Sequence, residues 1–308
     1  MQEIVFLDAK TLGSDLDFSE LKSIGNYFSY ETTEKDEILA RAENADVLIV
    51  NKVKLTQEIL SKLPKVKLIC VAATGTDNID ITYAKKNNIR VENVSGYSTD
   101  SVVQHTFSML FYLLGQTRYY DEYTKGNQWE KSDIFTHFKP YSDLANKKWG
   151  IIGLGEIGKQ VAIIAKNFGC DVQYFSTSGK NNNDQFKQVN LDDLLKTSDI
   201  ISIHAPLNRN TYNLLNKNNL RLLKNDSVLL NLGRGGIINE QDLFNVLSAH
   251  SFRVGLDVLE QEPPVPDSSY QKLVKLPNVL ITPHIAWASK EARQKLLNQI
   301  VDNINSSL

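Results

Sequence analysis

Three side chains of complementary chemistry follow three successive predicted strands in the second half of the chain: Arg234, Glu262 and His284. A guanidinium binds a carboxylate through two parallel hydrogen bonds, an imidazole can deliver a proton near neutral pH, and a nearby carboxylate favours the protonated imidazole. If the strands are neighbours, the three residues meet the needs of hydride transfer to a 2-keto acid: a carboxylate anchor, a proton donor and a group that keeps the donor protonated.

Each of these residues also has a simpler explanation. Arg234 can belong to a surface ion pair, Glu262 can be an ordinary loop acid, and His284 can be a capping or core imidazole. Their joint position at strand ends is what favours chemistry over these readings.

A glycine-rich turn joins a predicted strand, Trp149 to Ile152, to a predicted helix, and it has the pattern Gly153-x-Gly155-x-x-Gly158. Bare backbone N–H groups and a helix N-terminus at such a turn can bind a diphosphate. The three glycines alone are a weak signal, because tight turns without ligands share them. The helix and the second short strand that follow complete a βαβ unit, and this context favours a dinucleotide site.

Strands and helices alternate strictly along the first hundred residues, which predicts a parallel sheet covered by helices on both faces. Ligands of such sheets lie at the carboxyl ends of the strands. Two loops occupy such positions, one beginning at Asn51 and the other running from Ala73 through Thr74 to Gly75. Gly75 can expose backbone N–H groups to a carboxylate, or it can be a turn glycine with no ligand.

A long apolar helix is predicted from Val102 to about Leu114, and His105 on it is read as a satisfied interior polar group rather than as a catalytic one. The following stretch, Tyr119 to Asn146, is polar, aromatic and poorly periodic, as in segments that contact another subunit.

The length, composition and net charge of the chain favour chemistry on small molecules. The 308 residues allow two domains, 42% are apolar and 23% charged, and the net charge of −2 gives no electrostatic case for nucleic acid or a membrane surface. The two cysteines are read as packing residues in a reducing compartment. No basic leader or long apolar run is seen, so we expect a cytoplasmic protein, and we expect no metal ion.

Five motifs of the second half, in order, resemble those of the D-isomer-specific 2-hydroxyacid dehydrogenases, and the loop Ala73–Asp80 resembles the substrate loop of that family. The five are Gly153-Leu-Gly-Glu-Ile-Gly158, Ser202-Ile-His-Ala-Pro-Leu207, Asn231-Leu-Gly-Arg-Gly235, Gly255-Leu-Asp-Val-Leu-Glu-Gln-Glu-Pro263 and Thr282-Pro-His284. The ending after Pro283 and the Gln104-His-Thr helix look most like the glycerate dehydrogenase (hydroxypyruvate reductase) branch.

The resemblance implies a role for each matching position. Arg234 binds the substrate carboxylate and carbonyl, His284 is the acid/base, and Glu262 pairs with His284 to hold its tautomer and favour its protonated form. The backbone of Ala73, Thr74 and Gly75 also holds the substrate carboxylate, and Asn51 is expected to contact the substrate because of its position after a buried strand. The matching positions that bind the cofactor are Gly153, Gly155, Glu156, Ile157, Gly158, Ala205, Pro206, Thr211, Leu232 and Asp257. Four residues that follow the second strand of this unit are further expected cofactor residues: Ser176, Thr177, Ser178 and Lys180.

The resemblance also implies an α/β fold of two doubly wound, Rossmann-like parallel-sheet domains with a cleft between them. The substrate-binding (catalytic) domain comprises residues 1–97 plus 286–308, and the dinucleotide-binding domain comprises residues 98–285. A homodimer is expected through residues 98–146. The substrate is expected to be a small 2-keto or 2-hydroxy acid, with hydroxypyruvate and glyoxylate as the first candidates.

One position departs from the NAD-dependent pattern of the family. Where an acid usually holds the ribose 2′-hydroxyl, this chain has Ser176, followed by Thr177, Ser178 and Lys180. Without that carboxylate the main repulsion against a 2′-phosphate is missing, so NADP is as plausible as NAD. The alternative reading keeps NAD, with Ser176 on the ribose and Lys180 in solvent.

Two other functions are weighed. A nucleotide-sensing interaction protein on the same fold is disfavoured because all three reactive residues are present. A hydrolase that uses bound NAD lacks a further substrate-domain motif.

Overall fold

The computed structural model describes residues 1–180 and 182–307 of the chain. These residues form two compact units. One unit is Asp100–Ala286, and the other joins Met1–Thr99 to the segment that begins at Trp287.

The first unit contains a five-stranded parallel sheet whose order is β2-β1-β3-β4-β5. Its strands are β1 (Glu3–Phe6), β2 (Asn26–Ser29), β3 (Val47–Val50), β4 (Leu68–Val71) and β5 (Arg90–Asn93). Its helices are α1 (Ser19–Ser23), α2 (Ile38–Ala42), α3 (Gln57–Leu60), α4 (Ile81–Lys86) and the closing helix α11 (Lys290–Ser307). This strand order is that of a flavodoxin-like doubly wound domain.

The central strands of this sheet are apolar on both faces because helices cover both. Every residue of β3 and β4 is buried, whereas the edge strands β2 and β5 contain exposed positions. The closing helix packs Leu296, Leu297 and Ile300 into the core on one side of the sheet, as its spacing predicts.

The strand order reverses between β1 and β3. Doubly wound domains often bind ligands at such a switch point. Here Asp8, which follows β1, is buried and accepts hydrogen bonds from the backbone N–H groups of Asn51, Lys52 and Val53, at 2.6 to 3.1 Å. The carboxylate therefore holds the loop that follows β3 in place.

The second unit contains a seven-stranded parallel sheet of order β12-β11-β10-β9-β6-β7-β8. Its strands are β6 (Lys148–Ile152), β7 (Asp171–Phe175), β8 (Lys187–Gln188), β9 (Ile200–Ile203), β10 (Val228–Asn231), β11 (Arg253–Leu256) and β12 (Val279–Ile281). Its helices are α5 (Thr99–Leu114, which begins one residue before the unit), α6 (Thr117–Lys125), α7 (Glu156–Asn167), α8 (Leu191–Thr197), α9 (Glu240–Leu247) and α10 (Ser269–Leu273). The order is that of a Rossmann sheet with one further strand, and its winding changes between β6 and β9.

Trp149 of β6 is fully buried in the core that α5 and α7 form with this sheet. Its indole N–H donates to Ser202 Oγ of β9 at 2.9 Å, and its ring lies 5.2 Å from that of Phe107 on α5. The apolar face of α5 thus packs within the second unit, and the α/β fold with two doubly wound parallel sheets is confirmed.

The periodicity of the sequence does not indicate three short elements, α6, β8 and α10. Helix α6 extends to Lys125, into the poorly periodic stretch Tyr119 to Asn146. Its buried position is Tyr123 and most of its other side chains are exposed, so the usual apolar spacing of a helix is missing.

Across residues 1–180 and 182–307, no helix combines the length and the apolar character that a membrane crossing requires.

Candidate active site

Sheet order brings the three predicted catalytic loops together. β10, β11 and β12 are adjacent parallel strands, and their last residues are in register, with Asn231 opposite Leu256 and Leu256 opposite Ile281. The loops that carry Arg234, Glu262 and His284 therefore leave the same edge of the sheet side by side, as required for the three residues to act together.

His284 and Glu262 are in direct contact. The distance from His284 Nδ1 to Glu262 Oε2 is 2.6 Å, and both side chains are partly exposed. The other carboxylate oxygen, Oε1, accepts the backbone N–H of Leu259 at 2.9 Å. Glu262 is thereby fixed on one side by its own loop while it orients the imidazole on the other.

The Arg234 loop is braced at both ends. Asn231 at the end of β10 accepts the N–H of Gly233 at 3.1 Å and donates to the carbonyl oxygen of Arg234 at 2.9 Å. The next residue, Gly235, packs so closely on the backbone of Leu259 that an added Cβ would lie 1.9 Å from the Leu259 carbonyl carbon. Because Leu259 also anchors Glu262, the Arg234 and Glu262 loops are held as one assembly.

Asp257 organises the turn that carries His284. Its buried carboxylate accepts the hydroxyl of Thr282 at 2.6 Å and the backbone N–H groups of Ile285 at 3.0 Å and Ala286 at 2.9 Å. Its carbonyl oxygen accepts the N–H of His284 at 2.8 Å. These bonds stabilise a turn in which His284 has a positive φ of 53°, an uncommon backbone conformation for histidine.

His105 lies behind this turn. Its Nε2 is 3.1 Å from Thr282 Oγ1 and 3.6 Å from Asp257 Oδ1. The reading of His105 as a satisfied interior residue agrees with this contact.

A second acidic group lies near the pair. Glu240, the first residue of α9, accepts the backbone N–H of Glu260 at 2.6 Å. Burial raises the pKa of Glu240 above its usual value, and the negative charges of Glu260 and Glu262 raise it further.

The glycine-rich turn has the geometry that a nucleotide cradle requires. Gly153 has a φ of +92°, and an added Cβ would lie 2.9 Å from the backbone of Ala205 after β9. Gly155 is the N-cap of α7 and has open space where its side chain would be, with nothing within 4 Å. The N-terminus of a twelve-residue helix thus lies beside open space that a ligand can enter.

A pocket of about 440 Å³ lies at this turn. It is lined by Gly153, Gly155, Thr177, Ser178, Lys180, His204, Pro206, Asn208, Arg209 and Asn210. It therefore sits at the point between β6 and β9 where the winding changes, which is where Rossmann sheets bind dinucleotides. The pocket includes six of the predicted cofactor residues.

The pocket also includes four residues that the sequence did not suggest: His204, Asn208, Arg209 and Asn210. All four follow β9. Once β9 is placed next to β6, its exit loop must face the glycine turn, but that neighbour relation is not visible in the sequence.

His204 is unusual because both ring nitrogens are buried and lack a hydrogen-bond partner within the described residues. Burial lowers the pKa of His204 from 6.5 to about 3. A neutral imidazole with two unsatisfied nitrogens at a pocket wall is costly unless a ligand pairs with it. Together with the open space at Gly155, it fits a bound dinucleotide.

The other predicted cofactor residues support the pocket from behind or beside it. Thr211 is buried and its hydroxyl donates to the carbonyl of Pro206 at 2.7 Å, which fixes the loop after β9. Ser176 is buried at the end of β7, and its hydroxyl has no partner among the described residues. Ala205, Leu232, Gly158 and Asp257 are buried, Ile157 is half-buried and Glu156 is exposed.

The predicted substrate residues of the first unit lie after β3 and β4. Asn51 is buried, and its side-chain nitrogen has no partner within the described chain. The hydroxyl of Thr74 donates to Val94 O at 2.9 Å, while the backbone N–H groups of Ala73, Thr74 and Gly75 have no acceptor among the described residues. Successive N–H groups without a protein acceptor are available to bind an anion.

Residues 107–286 match the family pattern described as D-isomer specific 2-hydroxyacid dehydrogenase, NAD binding domain. The chain belongs to this family. A D-2-hydroxyacid dehydrogenase is an oxidoreductase that acts on a CH–OH group with NAD or NADP, and the strand order and glycine turn described above are those of its nucleotide-binding unit.

Named relatives match this chain along nearly its whole length. The chain is 37% identical to a glycerate dehydrogenase of Methylorubrum extorquens, with 99% of this chain and 96% of the relative covered. It is 33% identical to a hydroxypyruvate reductase of Blautia hydrogenotrophica, with 99% and 97% covered. Among solved structures, an acyclic imino acid reductase in complex with NADPH and D-Arg superposes with a TM-score of 0.84 at 32% identity, with 99% and 96% covered.

In the part of the chain that the structure describes, no cluster of three or more His, Cys, Asp or Glu side chains is arranged to hold a metal ion.

Proposed function

We propose that this chain reduces a small 2-keto acid to the D-2-hydroxy acid, with hydroxypyruvate and glyoxylate as the first substrates to test. The observation that carries the proposal is the 2.6 Å contact between His284 and Glu262 beside the braced Arg234 loop. A carboxylate anchor and a proton donor with its own counter-charge are what the reduction of a 2-keto acid requires.

In this mechanism Arg234 binds the carboxylate and the carbonyl oxygen of the substrate. The hydride for the keto carbon would come from NADH or NADPH held by the residues of the glycine turn. His284 delivers a proton to the carbonyl oxygen as that oxygen gains charge. Since Nδ1 faces Glu262, Nε2 is the nitrogen assigned to the transfer, and Glu262 stabilises the protonated ring before the proton leaves.

We further propose that the first unit contains substrate-binding residues. Residues 1–97 plus 286–308 act as the substrate-binding domain, and residues 98–285 act as the dinucleotide-binding domain. The unpaired N–H groups of Ala73, Thr74 and Gly75 support this role. Asn51, whose buried amide nitrogen is unsatisfied, is proposed to complete the cradle.

The nucleotide is proposed to lie at the glycine turn. Gly153 and Gly155 shape the turn, the first N–H groups of α7 would hold the diphosphate, and a bound nucleotide would supply His204 with a hydrogen-bond partner. Glu156, Ile157 and Gly158 contribute through their backbone. Ala205, Pro206, Thr211, Leu232 and Asp257 are proposed to surround or support the ribose and nicotinamide end.

A homodimer through residues 98–146 is part of the proposal. Four aromatic side chains in this range are largely exposed: Trp129 (51%), Phe135 (84%), Phe138 (79%) and Tyr141 (61%). Exposed aromatic clusters are typical of protein interfaces. Light scattering on the purified chain should give twice the 34.7 kDa chain mass, and a monomer mass would remove this part of the proposal. We also propose a cytoplasmic location, which cell fractionation would test.

The reaction is tested by steady-state kinetics with the full chain. Hydroxypyruvate, glyoxylate, pyruvate and a 2-keto acid with a larger side chain are each offered with NADH and with NADPH, and the loss of reduced nicotinamide is followed. We expect turnover with at least one small 2-keto acid and formation of the D product. Nucleotide binding without turnover on any of these substrates would contradict the proposal and favour a nucleotide-sensing role.

A further inference from the structure

The glycine-turn pocket contains two positively charged side chains from two different loops. Lys180 comes from the loop after β7, and Arg209 comes from the loop after β9. Both are exposed, and neither forms an ion pair with a described residue. No carboxylate is among the residues that line the pocket. The pocket is thus an electropositive site with uncommitted donors.

Neutral donors line the same pocket as the two cations. Thr177 and Ser178 come from the β7 side, and Asn208 and Asn210 come from the β9 side. Hydroxyl and amide groups of this kind can donate to anionic oxygens. The loop after β9 is fixed by Thr211, which accepts the N–H of Asn208 at 2.8 Å and donates to Pro206. Arg209 is therefore presented by a loop whose backbone is held from both directions.

The position of the pocket decides which anion is expected. In a Rossmann unit the diphosphate lies at the glycine turn, and the adenosine ribose lies at the end of the second strand, here β7. That strand ends at Phe175 and is followed by Ser176, whose buried hydroxyl lacks a partner within the described chain. An acid at this position would repel a phosphate on the ribose 2′-oxygen, and serine does not.

We infer that this pocket is a 2′-phosphate site in which Arg209 and Lys180 pair with the adenosine 2′-phosphate, so that the enzyme selects NADPH over NADH. The inference rests on the proposed function, because it assigns the nucleotide to the same turn. It adds a specificity-determining residue, Arg209, on a loop separate from the one that follows the second strand.

Direct binding is the test, because it does not depend on turnover. NADPH and NADH are titrated into the full chain and followed by calorimetry, with adenosine 2′,5′-bisphosphate and 5′-AMP as fragment probes. We expect NADPH to bind about 10-fold or more tightly than NADH, as for the gain of a charge-assisted hydrogen bond, and the bisphosphate to bind more tightly than 5′-AMP. The difference should shrink as salt is raised.

Substitutions distinguish a direct contact of Arg209 and Lys180 with the 2′-phosphate from a general effect of positive charge. Arg209→Ala should weaken NADPH by about 10-fold while NADH changes by less than about 2-fold, and Lys180→Ala should act in the same direction. Arg209→Lys should retain part of the preference because it keeps the charge but loses the fork. Lys166→Ala, which removes an exposed cation of α7 outside the pocket, is the matched control and should leave both affinities unchanged.

The outcomes are distinguishable. Equal losses of NADH and NADPH in Arg209→Ala would place Arg209 on the diphosphate and overturn the inference. Equal wild-type affinities, or tighter NADH, would overturn it as well while leaving the reductase proposal intact. Failure to bind either dinucleotide would contradict the proposed function itself.

Discussion

The imidazole of His284 is held by Glu262 across 2.6 Å, although the two residues come from loops that follow different strands. The contact is possible because β11 and β12 are adjacent and end in register. The backbone N–H of Leu259 fixes the far oxygen of the same carboxylate. Glu262 thus orients the ring through Nδ1 and places a carboxylate beside it.

Replacing the charge of that carboxylate should slow reduction. Glu262→Gln keeps the size of the side chain and its ability to accept from Leu259, but it removes the negative charge beside His284. We expect kcat to fall about 10- to 100-fold, as for an impaired general acid. A wild-type kcat in Glu262→Gln would contradict the role given to Glu262.

The Arg234 guanidinium is expected to act as a two-pronged anchor. Arg234→Lys retains the charge but not the fork, so kcat/KM should fall by about 100-fold, the scale of charge-assisted hydrogen bonding, while nucleotide affinity is maintained. Arg221→Lys, at an exposed arginine outside the site, provides the control. Steady-state kinetics combined with nucleotide titration would show whether the loss is confined to the keto acid.

Asp257 should matter for both stability and catalysis. Asp257→Ala removes the acceptor of two backbone N–H groups and of the Thr282 hydroxyl. Leaving such groups unsatisfied should lower the free energy of unfolding by about 2–4 kcal/mol in denaturant titrations. It should also lower kcat, because the His284 turn loses its support. Asp302→Ala, at an exposed position of α11, should change neither quantity.

His204, whose two ring nitrogens are buried, should make the protein sensitive to acid. Burial lowers the pKa of His204 to about 3, from 6.5. Between these two pKa values the imidazole is protonated in the unfolded chain but neutral in the folded chain. The contribution of His204 to the free energy of unfolding is therefore fully present above pH 6.5 and is lost as pH falls toward 3. Between pH 7 and pH 5 this costs about 2 kcal/mol.

Substitution tests this account of acid sensitivity. His204→Gln should remove most of that slope in the nucleotide-free protein, as measured by denaturant unfolding at several pH values. His250→Gln, the same change outside the pocket, should keep the wild-type slope. An identical slope in His204→Gln would mean that other groups set the acid sensitivity.

The sequence predicts the two parallel sheets and the Arg234, Glu262 and His284 loops because strand ends and alternation are local patterns. β3 and β4 are continuous apolar runs, and such runs are easily recognised. The packing of one loop against another is not a local pattern in the sequence. Nothing in the sequence places Gly235 against Leu259. Nor does the sequence show that the carboxylate of Asp257 accepts hydrogen bonds from the turn that carries His284.

The same limit explains why Arg209 and His204 were missed. Their loop faces the glycine turn only because β9 pairs with β6, a partner about fifty residues earlier in the chain. Helix α6 was missed for a different reason, since its aromatic and charged residues stay largely exposed and give no apolar stripe.

The central claim is that His284 is the proton donor for reduction of a 2-keto acid, and His284→Ala tests it most directly. With hydroxypyruvate or the best substrate found, kcat should fall by about 100-fold or more, as for loss of a positioned acid, while the dissociation constant of the reduced nucleotide stays within about 2-fold of wild type. A variant that binds the nucleotide and still turns over at the wild-type rate would contradict the account.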